Sequence, residues 1–214
     1  MFSVIFDMDG TLLDTQQICI PAWEYAGKKQ GVSGMGAHVP DVCGMNEKGR
    51  DVYLAKNAPE INMEQFIRDY RAYIAENLIV RYKNGAVELL EYFKQKGIKI
   101  GLASGTSEKS VMHHLKEVDA LKYFDVIVPG TSVEKGKPEP DIFLFAAEKM
   151  GVSPESCFVF EDSANGIISA YRAGMKCIGV PDIAPFSQEI KNLMFAELKT
   201  LDEAIDIFKM QFDT

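Results

Sequence analysis

Short apolar runs that stop abruptly at polar or turn residues alternate, over most of this chain, with longer stretches of helical period. Val4, Ile5 and Phe6 form the first run, which breaks at Asp7-Met8-Asp9-Gly10-Thr11. A brief continuous apolar run bounded by turn residues predicts a strand buried on both faces, as in a parallel sheet. Comparable runs occupy residues 98–103, 124–128, 157–160 and 175–180, and helical patterns at 85–96, 108–118, 141–150 and 164–173 lie between them. An amphipathic helix is expected over 201–212, with Leu201, Ala204, Ile205 and Phe208 on one side. Strands alternating with helices of about 10–15 residues predict right-handed crossovers and an α/β, doubly wound parallel sheet. The segment 15–81 breaks this rhythm. It has no strand signature and reads as helices at 18–29, 46–56 and 63–76, separated by the glycine-rich stretch 31–36 and by Pro40 and Pro59. An all-helical module is thus inserted between the first strand and the rest of the sheet.

Composition narrows the chemistry. With 214 residues, 47% of them hydrophobic, the chain can bury a sizeable core. Its net charge of −8 and the lack of any basic run argue against nucleic-acid or anionic-membrane binding. No apolar stretch reaches membrane-spanning length, and the amino terminus runs straight into the first strand, so a cytoplasmic protein is expected. Cys19, Cys43, Cys157 and Cys177 are scattered without a Cys-x-x-Cys pair, which fits reduced thiols. Of the three histidines, His113 and His114 are helical neighbours and are expected to point in different directions. A Ser-His-Asp triad or a histidine metal cluster therefore has little to build on, and carboxylates must carry any chemistry. No heptad pattern compels a dimer, and a monomer is expected.

Open parallel sheets bind ligands outside the carboxyl ends of their strands. Polar groups collect at four successive ends here: Asp7 and Asp9, Ser104 and Thr106, Lys135 and Lys137, and Glu161 and Asp162. Each cluster alone has an ordinary reading as turn chemistry, helix capping or a solvated lysine. Their coincidence at four corners is not explained that way. Asp7, Asp9 and Asp162 make an oxygen-rich set without nitrogen or sulfur, suited to Mg²⁺. Ser104-Gly105-Thr106-Ser107 opens a helix, so hydroxyls and free N–H groups converge where a phosphate could sit. Together these describe phosphoryl transfer in which one carboxylate attacks phosphorus and a second moves the protons.

Asp7-Met8-Asp9-Gly10-Thr11, Ala103-Ser104-Gly105-Thr106, Gly136-Lys137-Pro138-Glu139-Pro140-Asp141 and Phe160-Glu161-Asp162-Ser163-Ala164-Asn165-Gly166-Ile167 follow one another in order. They resemble the four motifs of the haloacid dehalogenase-like hydrolase superfamily, in particular its β-phosphoglucomutase-like phosphatases. The resemblance implies Asp7 as nucleophile and Asp9 as acid and base, with Ser104, the Gly105 N–H, Thr11 and Thr106 about the phosphate. It implies Lys137 rather than Lys135 as the charge-stabilising lysine. Mg²⁺ would be held by Asp7, the Asp9 main-chain carbonyl and Asp162, with Glu161 in or near the shell. The core domain would comprise residues 1–14 and 82–214, and residues 15–81 would be a helical cap.

Three departures from the mutase pattern favour a phosphatase: threonine at Thr11, cysteine rather than histidine near Cys19, and Glu47 where the mutases carry arginine after a glycine, here Gly44. Asn84-Gly85 replaces the usual Pro-Gly, a change in a turn. The presence of Asp9 and Asp162 argues against true dehalogenase chemistry. Expected substrates are small phosphorylated metabolites, sugar or polyol phosphates, contacted from the cap by Glu47 and Arg50, with Lys48, Arg68 and Arg71 as further candidates. For these five a solvated helix face is the competing reading. A β-phosphoglucomutase-type mutase is the alternative function. A phosphate-accepting signalling domain and a non-catalytic binding protein are less favoured, the first because of the helical insert, the second because Asp7, Asp9, Lys137 and Asp162 are all in place.

Overall fold

A computed structural model describes residues 2–212; residue 1 and residues 213–214 of the expected core segment lie outside the described residues. β1 (Ser3–Phe6) is followed by four helices, α1 (Cys19–Lys28), α2 (Val39–Val42), α3 (Glu47–Asn57) and α4 (Met63–Asn77). The chain then alternates through α5 (Ala86–Gln95), β2 (Ile100–Ser104), α6 (Glu108–Glu117), β3 (Val126–Pro129), α7 (Asp141–Met150), β4 (Cys157–Glu161) and α8 (Ala164–Arg172). It finishes with β5 (Lys176–Gly179), α9 (Gln188–Lys191), β6 (Ala196–Glu197) and α10 (Glu203–Phe212).

The sheet is parallel throughout, in the order β3-β2-β1-β4-β5-β6. β1 lies in the interior, pairing Val4 with Ile100 on one side and Phe158 on the other. That position requires both faces of β1 to be apolar, and its four residues are all buried. Side chains alternate between two cores. Val4 and Phe6 join the α5, α6 and α10 side, where Phe6 stacks on Phe160 at 4.6 Å; Ile5 joins the α7 and α8 side with Val159, Phe143 and Ile167. The strand order reverses direction around β1, which opens a crevice beyond its carboxyl end. Asp7 is the first residue past that end, its N–H still donating to Phe160 O at 3.0 Å.

The helices α1–α4 have an apolar core of their own, built on Trp23, Met35, Leu54, Phe66 and Tyr70. Asn46 and Asn62 start α3 and α4 by accepting from the N–H groups of Gly49 and Gln65. The segments leading into and out of this module pair with each other. Asp14 N–H donates to Arg81 O at 2.8 Å and Lys83 N–H to Leu12 O at 2.9 Å. The short strand β6, the four-residue α9 and the helical residues 35–42 were not legible in the hydrophobic pattern. The carboxyl-terminal helix begins at Glu203 rather than at residue 201; a tighter turn precedes it, in which the Leu201 and Asp202 carbonyls accept from Ala204 and Ile205 N–H.

Candidate active site

The four expected strand ends do converge, and Lys137 is at their centre. Its Nζ lies 2.5 Å from Asp7 Oδ1, 2.5 Å from Glu161 Oε1 and 3.2 Å from the Ala103 carbonyl, with the side chain sealed from solvent. Three N–H directions are thereby used, and the ammonium ties β1, β2 and β4 together across the crevice. Burial opposes its charge, but Asp7 and Glu161 more than offset that and hold it above the ordinary lysine range. Glu161 is further fixed by the N–H groups of Asp162 and Ser163 and by the Ser163 hydroxyl, all on Oε2 at 3.0–3.1 Å. Lys135 is an exposed loop residue, as the motif implied.

Asp7, Glu161 and Asp162 each bring a carboxylate oxygen within 4.8 Å of the other two. Burial pushes the Asp7 carboxyl well above the usual range; Lys137 counters this, and Glu161 and Asp9 add to it. Asp162 is raised in the same direction, by burial first and then by Glu161 and Asp7. Three buried carboxylates against a single ammonium leave the cluster short of positive charge. An oxygen-only donor set in that state fits a hard divalent cation.

Asp9 lines the cavity together with Asp7 but has different partners. Its Oδ2 accepts from the Thr106 hydroxyl at 2.7 Å and the Ser104 hydroxyl at 3.2 Å, and its Oδ1 accepts from Thr15 at 2.6 Å. Gln16, which the sequence did not single out, donates from Nε2 to the Asp9 carbonyl at 2.6 Å, and its Oε1 accepts from the Cys43 thiol at 2.7 Å. Gly10 makes the turn directly after Asp9 at φ +86°, and a Cβ there would strike the Asp162 carboxylate. Thr11 is not at the phosphate seat. It is fully buried and its hydroxyl donates to Asp162 Oδ1 at 2.9 Å, because the Gly10 turn carries it under the loop. Ser104 is likewise buried, its hydroxyl spent on Asp9 and accepting from Thr106 N–H at 3.1 Å, so Gly105, Thr106 and Ser107 are the residues of this loop that line the opening.

Above these residues lies a cavity of about 860 Å³ between the helical module and the sheet. Glu47 and Arg50 both line it, but neither is free: Arg50 binds Asp51 and the Tyr70 hydroxyl, and Glu47 pairs with Arg71 at 2.6 Å. Arg68 pairs with Asp69 and is not on the cavity. Trp23 and Tyr70, which the sequence did not single out, contribute to its wall. His113 and His114 both border it, contrary to their expected divergence, since neighbours about 100° apart can straddle the edges of one helix face. The loop Gly44-Met45-Asn46 rests on the sheet: a Cβ on Gly105 would stand 2.7 Å from the Met45 carbonyl, and Asn165 Nδ2 donates to Cys43 O at 2.9 Å.

Comparison with known proteins agrees with this geometry. The profile of the haloacid dehalogenase-like hydrolases matches residues 4–180. A phosphorylated carbohydrates phosphatase from Thermotoga maritima is 33% identical over 182 residues, covering 83% of this chain and 84% of its own. A beta-phosphoglucomutase from Bacillus subtilis is 32% identical over 197 residues, covering 84% and 83%. The crystal structure of beta-phosphoglucomutase from Clostridium difficile shares the fold at a TM-score of 0.81 and 23% identity, over 100% of this chain and 97% of that one. By its matched length, its ordered motifs and its relatives, the chain belongs to the haloacid dehalogenase-like hydrolase family, as a phosphoric monoester hydrolase.

Proposed function

We propose that the enzyme is a Mg²⁺-dependent phosphatase of small sugar or polyol phosphates, with residues 15–81 as the cap over a core made of 1–14 and 82–214. The observation that carries this reading is the split between two kinds of carboxylate one residue apart. Asp7 is buried against Lys137 beside Glu161 and Asp162, while Asp9 is held by hydroxyls at the cavity.

Asp7 is then the nucleophile: an Asp7 oxygen bonds to phosphorus as the bond to the ester oxygen breaks, giving an aspartyl-phosphate. Asp9 donates its proton to the departing oxygen, and afterwards accepts one from the water that displaces Asp7. Lys137 offsets charge on the transferred group, and the Gly105–Thr106 loop seats its oxygens at the start of α6. Asp7, Asp162 and Glu161, with the Asp9 carbonyl, would hold Mg²⁺, which supplies positive charge next to the phosphoryl group. The proton shuttle depends on Asp9 leaving or keeping its three hydroxyl partners, so Thr15, Ser104 and Thr106 set its position.

Cys19 favours hydrolysis over the mutase alternative. It borders the cavity where the mutases carry histidine, and burial, followed by Asp9 and Asp182, pushes its thiol up to about 12, so it offers no readily exchanged proton. The test is a panel of phosphate esters with and without Mg²⁺, including β-glucose 1-phosphate followed for both free phosphate and glucose 6-phosphate. Phosphate release that requires Mg²⁺ and disappears in Asp7→Asn is expected. Formation of glucose 6-phosphate would replace the phosphatase reading by the mutase one, and substantial turnover by Asp7→Asn would sink the covalent mechanism.

A further inference from the structure

The cavity extends well past what the phosphate chemistry uses. Its far part lies between two helices, each presenting one face to it. From α4 come Arg71, Ile74 and Ala75, with Leu78 just past its end; from α6 come Lys109, Ser110, His113, His114 and Glu117. Ser110, His113, His114 and Glu117 follow the i, i+3, i+4, i+7 spacing of a single helical stripe, and Arg71, Ile74 and Ala75 the first three positions of another. The stretch from Ser110 to Glu117 covers about 10 Å at 1.5 Å per residue, leading away from Thr106 and Asp9.

The two walls differ in chemistry. On the α4 side Ile74, Ala75 and Leu78 are aliphatic; Ala75 is exposed, and Ile74 and Leu78 are half-buried. On α6 the wall carries the Lys109 ammonium, the Ser110 hydroxyl, two imidazoles whose ring centres are 5.8 Å apart, and the Glu117 carboxylate, which lies 3.7 Å from His113 Nε2. His114 Nδ1 is buried with no hydrogen-bond partner. An aliphatic face opposite imidazoles and a hydroxyl suits a flat ring with polar edges, which packs on the first and stacks or hydrogen-bonds on the second. A lone sugar or polyol phosphate seated at Asp7 would leave this groove in water.

We propose that the α4–α6 groove is a second substrate subsite. It takes a planar heteroaromatic ring carried on the far side of the phosphorylated sugar, as in a nucleoside 5′-monophosphate. This rests on the phosphatase reading and narrows its substrate class.

Uridine 5′-monophosphate and ribose 5-phosphate present the same phosphorylated arm and differ in the ring, so their ratio of kcat/KM reads the groove alone. The wild-type enzyme is expected to favour the nucleotide by about tenfold or more, the scale of stacking one base on aromatic side chains. Ala75→Trp, on an exposed position of α4, fills the groove and is expected to bring the ratio close to one. Glu76→Trp, exposed on the far side of the same helix and off the cavity, keeps both values. Uridine, but not ribose, is expected to inhibit hydrolysis of p-nitrophenyl phosphate competitively, and Ala75→Trp abolishes that inhibition. A wild-type ratio at or below one, or an Ala75→Trp loss equal for both esters, would overturn the subsite while leaving the phosphatase intact. Absence of phosphate release from all three esters would overturn the hydrolase reading itself, and the subsite with it.

Discussion

Lys137→Met isolates the electrostatic role of the central ammonium. Methionine keeps most of the apolar stem that passes over the Phe143 ring, where Nζ stands 4.8 Å from the ring centre. What it removes is the charge between Asp7 and Glu161, whose side chains are only 5% and 0% exposed. Breaking a buried ion pair by deleting one partner costs about 3–5 kcal/mol, because the other charge is left uncompensated. For a domain of this size each kcal/mol moves the melting temperature by about 2–4 °C, so a fall of roughly 6–20 °C is expected in metal-free buffer. Calorimetry in EDTA and again in excess Mg²⁺ is the assay. With Mg²⁺ the fall should be smaller, since a cation held by the same carboxylates replaces part of the missing charge. Lys135→Met, at an exposed loop position two residues away, is the control and should stay within about 0.5 kcal/mol of wild type. A metal-free fall under about 3 °C would mean that the buried carboxylates do not rest on Lys137, and the charge argument for this site would fail.

Asp7 and Asp162 are held above the ordinary carboxylate range in the metal-free fold, so their stabilising contribution is complete below the unfolded-state value and is lost as pH rises through the folded one. The gain in melting temperature on adding Mg²⁺ should therefore be larger at about pH 8 than at about pH 5, where protons compete with the metal; equal gains would contradict the assignment of these ligands. Gly10→Ala should lower both stability and turnover, because the backbone is at φ +86° and the new methyl meets the Asp162 carboxylate; wild-type kcat in that variant would show that the turn is not under this constraint. Asp182 Oδ1 accepts from Lys83 Nζ at 2.7 Å and Gln17 Nε2 at 3.0 Å, one residue from each segment joining the helical module to the sheet. Asp182→Ala should cost about 1–3 kcal/mol in denaturant unfolding and expose these segments to limited proteolysis; an unchanged cleavage pattern would refute a clamping role.

Much of the architecture was readable because it follows from local rules. A strand in the interior of a parallel sheet must be apolar on both faces, so 4–6, 98–103 and 157–160 announced themselves, and the strand ends then located the carboxylates. The edge strand β6, two residues long and incompletely buried, carries no such signal. Helical residues 35–42 were obscured because glycine and Pro40 read as breaks, while a proline in the first turn of a helix costs little. Within the site, the chain pointed to Asp7, Asp9, Ser104, Lys137, Glu161 and Asp162 but not to the partner each one binds. Thr11 was read as a phosphate contact, whereas its hydroxyl is committed to Asp162. Gln16 and Asp182 gave no warning at all, since isolated polar residues in linkers look solvated until their partners are known.

The sequence by itself determined which residues could do chemistry and at which strand ends they stand, because burial period and turn residues act over a few neighbouring positions. Only the tertiary structure decided which group neutralises which. Lys137 meets Asp7 across 130 positions and Thr11 meets Asp162 across 151, and nothing in local patterning encodes such pairings. The same holds for the cavity. The apolar stripe of α4 and the histidines of α6 each look like ordinary helix surface, and they become two walls of one groove only when the helical module folds down onto the sheet.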